Sequence, residues 1–196
     1  QGIVFRRVDL PGRPEIRASL TAVQATERRT VLAQGAASVQ TVEHLLAAAA
    51  ALGVDDLTVE LDGPEPPIAD GSFALYFSML SDAGIVEQAG EPVIYRPTEP
   101  FQITEGESSY VVAPAPALRI TATIEWDHPL IGRQSGSYDI AADAFARELA
   151  GARTFGFLRE AEALRARGLA LGAALESTLV LSEEGLVGGE LRWPDE

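Results

Sequence analysis

Twice along its 196 residues the chain reads strands first and helices later. That order constrains the fold more than any other feature. It favours an α+β fold with helices packed on sheets. In the first run Ile3–Phe5 reads as a strand and Pro11-Gly12 as a turn. Residues 41–52 read as a helix: Thr41 can cap it, Glu43 complements the dipole of its first turn, and Gly53 ends it. Its buried stripe is Leu45, Ala48, Ala49 and Leu52. Leu57–Leu61 alternates as a half-buried strand does, and Asp62-Gly63-Pro64 stops it. A second helix, 72–83, places Phe73, Tyr76, Phe77 and Leu80 on one face, with Asp70 or Ser72 as cap and Gly84 behind it. In the second run, strands are predicted at 101–104, 110–113 and 118–126, and a β-rich stretch at 177–181. Helices are predicted at 141–150, with Phe145 and Leu149 inward, and at 158–167. The reading is two α+β units, 1–88 and 89–196, alike in element order rather than in residue identity.

Composition excludes several classes. Hydrophobic residues at 46% and charged residues at 22% are ordinary for a globular chain and rule out disorder as the main state. The longest uncharged apolar run, Leu45–Val54, is about half of what a bilayer needs, so no membrane span is expected. Fifteen basic residues, all Arg, against 29 acidic ones give −14, which argues against nucleic-acid binding. Without Cys there is neither a disulfide framework nor a thiolate metal site. No secretory signal opens the chain, so a cytoplasmic location is expected. The chain starts without Met, and Pro194-Asp195-Glu196 signals a helix start with nothing behind it; both suggest a longer protein.

Few residues can carry chemistry. The only two histidines are His44 and His128. Glu43 directly precedes His44 at a helix start, where a metal-bound His beside a Glu serving as general base is feasible. The plainer reading is a capped amphipathic helix with a half-buried His. His128, in Trp126-Asp127-His128-Pro129, reads as a loop His that packs. Asp70-Gly71-Ser72 reads as a cap and turn. Arg153-Thr154-Phe155-Gly156-Phe157 puts a hydroxyl, an Arg and two rings in one short extended stretch. Thr154 could donate to an oxyanion, or the stretch could be a strand edge with packed rings. Leu169–Val180, mostly small and aliphatic, suits either a core or the wall of an apolar tunnel.

Taken in order, the motifs Thr41-Val42-Glu43-His44-Leu45-Leu46-Ala47, Leu52-Gly53-Val54-Asp55-Asp56-Leu57 and Leu61–Ser72 strongly resemble UDP-3-O-acyl-N-acetylglucosamine deacetylases. Asp127-His128-Pro129, Ala152–Phe157 and Gly168–Gly172 extend the resemblance over essentially the whole chain. It implies two similar two-layer α+β domains with the active site between them. It implies a Zn2+ enzyme of lipid A biosynthesis that removes the N-acetyl group of UDP-3-O-acyl-N-acetylglucosamine. His44 would be a zinc ligand, Glu43 the general base and Thr154 the partner of the scissile amide oxygen. Phe155 would line the site near the sugar. Residues 157–180 would form the acyl tunnel, with Phe157, Ala161, Leu164, Ala170, Leu175 and Val180 along it.

The resemblance also implies two further zinc ligands, a His and an Asp, on a helix after Glu196. With His44 alone, the chain is expected to bind zinc poorly and to be inactive by itself, since a site needs about three ligands. A monomer is expected. The rival reading is a non-catalytic relative that keeps the fold as an acyl or nucleotide-sugar binding module.

Overall fold

The structure, a computed structural model, describes residues 2–166 and 174–196. Its fold is α+β. In the first half, β1 (Ile3–Arg7) is the middle strand of a three-stranded sheet. It pairs antiparallel with β2 (Glu15–Arg17) and parallel with β6 (Leu57–Leu61). A second antiparallel sheet joins β3 (Val23–Ala25), β4 (Val31–Gln34) and β5 (Ala37–Gln40). Gly35, at φ +60°, makes the tight turn between β4 and β5.

Two helices pack on these sheets, α1 (Glu43–Ala51) and α2 (Ala74–Ala83). The predicted stripe of α1 is inside: Leu45, Ala48 and Ala49 are buried and Leu52 half-buried. Leu45 and Ala48 meet Phe5, Ile16, Leu32, Val39, Val42, Leu61 and Tyr76 in one core. The predicted Thr41 cap needs correction. Val42 holds the cap position without a side-chain bond, and Thr41 adopts φ +54°, a left-handed conformation uncommon for a β-branched residue. On α2 the cap survives in altered form: Ser72 Oγ accepts from Ala74 N at 3.2 Å.

Residues 84–100 run without regular structure, almost entirely exposed, into the second half. There β7 (Phe101–Glu105) and β8 (Ser108–Val112) form one hairpin. A longer one joins β9 (Arg119–Trp126) to β10 (Gly132–Asp139). β7, β8 and β9 are exposed along their whole length. The helix predicted at 141–150 is a short α-turn, α3 (Ala142–Ala144), that widens into a π-turn over Phe145–Leu149. β11 (Phe155–Phe157) lies parallel to β12 (Leu179–Ser182), which pairs with β13 (Gly185–Leu186). The last helix, α4 (Leu158–Ala166), follows β11 directly. No helix among the described residues is long and apolar enough to cross a membrane.

The halves touch through aromatic packing. Phe145 lies edge-on to Phe73 and stacked on Phe77, each with centroids 5.6 Å apart. Ala51 and Ala150 complete this apolar contact.

Candidate active site

Glu43 and His44 open α1, where the backbone leaves the strained Thr41. Thr30 N, at the end of the β3–β4 loop, donates to Glu43 Oε2 at 3.1 Å. That bond orients a carboxylate which the helix dipole also favours. His44 is buried at 9% exposure, and its ring lies 5.0 Å from that of Phe73. Its Nδ1–H donates to Ser72 O at 3.3 Å, which leaves Nε2 as the lone-pair nitrogen. A His whose second ring nitrogen is held by a carbonyl is the usual form of a metal-ligating imidazole.

Thr154 approaches from the other half. Its N–H donates to Gly71 O at 2.8 Å, and its carbonyl accepts from Leu179 N at 2.9 Å. The neighbouring Arg153 forms a two-pronged pair with Glu196 at 2.6 and 2.7 Å and also donates to Glu190 O. The turn Asp70-Gly71-Ser72 therefore reaches His44 on one side and Thr154 on the other. Asp70 accepts from Ser72 N and Ser72 Oγ at 3.1 and 2.7 Å, and from Arg192 Nη2 at 2.6 Å. Burial pushes the Asp70 carboxyl up, but the bonds from Arg192 and Ser72 outweigh it and hold the group at about 2.

The remaining predicted positions are more dispersed. Phe155 and Phe157, on one face of β11, join Trp126 and His128 in an aromatic cluster, and Arg159 lies 5.0 Å over the Phe157 ring. Phe157 is buried there and Phe155 exposed. Val180 is half-buried opposite Gly156, and Ala161 half-buried on α4. Leu175 is exposed. The Leu164 side chain and Ala170 lie outside the described residues. His128 is spoken for: Nε2–H donates to Ser182 O at 2.9 Å, and Nδ1 accepts from Leu130 N at 3.2 Å. It packs, as its loop setting predicts.

Comparison with known proteins decides the family. The sequence profile of UDP-3-O-acyl N-acetylglycosamine deacetylases matches residues 1–196. The chain belongs to this family. A UDP-3-O-acyl-N-acetylglucosamine deacetylase of Bdellovibrio bacteriovorus is 45% identical over the whole chain, which covers 65% of that protein. The protein of the same name from Myxococcus xanthus is 42% identical, with 62% covered, and that from Thermosynechococcus vestitus 43%, with 68% covered. The chain thus spans about two thirds of the length of these deacetylases. In a chain without Cys, a zinc site would draw on His, Asp and Glu donors. His44, with Nε2 free and Nδ1 held, fits the role of one ligand. No group of three His, Asp or Glu side chains that could hold a metal occurs among the described residues. The described residues fit one corner of a zinc site rather than a whole one.

Proposed function

We propose that this chain is the segment of a zinc-dependent UDP-3-O-acyl-N-acetylglucosamine deacetylase that carries its general base, Glu43, one zinc ligand, His44, and a contact to the scissile amide, Thr154. The observation that carries this reading is the placement of Glu43 and His44, in a chain matched by the family over its full length, one turn of backbone from Thr154. The reaction adds water to the N-acetyl group and yields acetate and the free amine, a step of lipid A biosynthesis. Zinc in the whole protein would polarise the acetyl carbonyl and acidify a bound water. Glu43, steadied by Thr30 N, takes the proton of the attacking water. Thr154 offers its hydroxyl to the amide oxygen. Phe155 lines the sugar side, and Phe157, Ala161, Leu164, Ala170, Leu175 and Val180 line the acyl side. The substrate carries a diphosphate while the chain stands at −14, so local Arg residues must hold the nucleotide, and its binding weakens with salt. In this reading 1–88 and 89–196 are two α+β domains that contribute to one site.

Acetate release and zinc content of the full-length protein test it. Glu43→Ala lowers turnover by about 10²–10⁴-fold with zinc retained. His44→Ala removes both zinc and activity. Thr154→Val costs less than loss of the base, since it removes a single hydrogen bond. A full-length protein that binds the substrate without releasing acetate would instead be a binding module.

A further inference from the structure

Three successive residues of one turn serve both halves of the molecule. Asp70 accepts from Arg192, Gly71 O accepts from Thr154 N, and Ser72 O accepts from His44 Nδ1. His44 and Thr154 therefore hang from neighbouring carbonyl groups, on residues whose Cα atoms are about 3.8 Å apart. Whatever sets the conformation of this turn sets the relation between the His44 ring and the Thr154 backbone.

Asp70 grips the turn with one oxygen and the second half with the other. Oδ1 accepts from Ser72 N and Ser72 Oγ, while Oδ2 accepts from Arg192 Nη2. Arg192 Nη1 in turn donates at 2.6 Å to Gly151 O, three residues before Thr154. Gly71 leaves the turn little freedom: at φ +80°, a Cβ there would stand 1.8 Å from Ser177 O. We propose that Asp70, with Arg192, is a positioning residue for the deacetylation site, fixing how His44 and Thr154 face each other. The inference rests on the reading of those two as site residues.

Magnitudes separate this role from a structural one. The Arg192 and Asp70 side chains are 36% and 41% exposed, so their ion pair adds little to stability. A misplacement of about 1 Å in a reacting geometry can cost about 10²-fold in rate. In the full-length protein, Asp70→Ala should lower kcat about 10²-fold, with KM changed less than about threefold and Tm by only a few degrees. Asp70→Asn, which keeps the acceptor for Ser72 and loses the charge facing Arg192, should lower kcat about tenfold. Arg192→Gln should match it, and Arg192→Lys should recover most of the loss. Leu61→Ala, in the first-half core, should lower Tm more than any of these and leave kcat of the folded protein unchanged. A crystal structure of Asp70→Ala should show at least one of the bonds from His44 and Thr154 to the turn broken. If kcat falls only with the folded fraction, or the Asp70→Ala structure keeps both bonds, the proposal is overturned. An inactive wild-type protein would instead overturn the functional reading and leave the structural comparison to decide this one.

Discussion

Burial and the nearby Glu65 push the Tyr76 hydroxyl up to about 12, and the hydroxyl donates to Pro67 O. A phenol whose folded pKa lies above the ordinary 10.0 stabilises the fold fully below pH 10 and loses that contribution as pH rises towards 12. Tyr76→Phe should flatten the fall in stability across that window, as urea unfolding between pH 9 and 12 would read. Asp70 has the opposite sign. Its depressed value stabilises the fold above about pH 3.8, and the contribution drains away as pH falls towards 2. Asp70→Asn should flatten the acid limb of the same titration. The residue before it, Ala69, is exposed and sits at φ +52°. An L side chain is strained there by about 1 kcal/mol or more. Ala69→Gly should raise stability by about 0.5 kcal/mol once the added freedom of the unfolded chain is subtracted. A lower Tm for this variant would show that the strain is relieved elsewhere in the turn.

At the scale of elements, the Asp70–Ser72 turn joins α2 to the second half, and Gly71 is its tightest point. Gly71→Ala would drive Cβ into the Ser177 carbonyl at a φ that disfavours any side chain. It should cost about 3 kcal/mol or more, measured by chemical denaturation. Sequence reasoning reached this turn only as a cap, because its partner Arg192 lies 122 residues away and no local pattern links them. The helices were legible for the opposite reason: α1 and α2 carry their apolar stripe within a single window. The strands β2, β3, β4 and β5 were not legible. They are three or four residues long and include Ala, Gln, Ser and Glu, so neither alternation nor composition marks them. β10, with two glycines and two serines in eight residues, is a strand because β9 pairs with it throughout. The Glu43-His44 pair was visible as an adjacency, whereas the Thr30 bond that steadies Glu43 comes from one of the unmarked hairpins.

For the whole molecule, the exposed stretch 84–100 is the natural place for a protease to enter. Tyr95 lies within it at 93% exposure, and chymotrypsin should cut after it first. The two pieces should still elute together, because Phe145 stacks on Phe77, Arg192 pairs with Asp70 and Arg28 pairs with Glu160 across the break. Separate elution would mean that the linker peptide itself holds the halves in place. The parallel pairing of β1 with β6 has a consequence in time. Ile3 meets Leu57 and Arg7 meets Leu61, so that register closes a loop of more than fifty residues. The hairpins β4–β5, β7–β8 and β9–β10 close only short loops and can form early. The order of events then runs from the hairpins inward, with the β1–β6 seam zipped late. Leu61→Ala should accelerate unfolding and leave the refolding rate nearly unchanged, so the chain spends its slowest moments of synthesis and refolding with the central strand of its first sheet still looking for its neighbour.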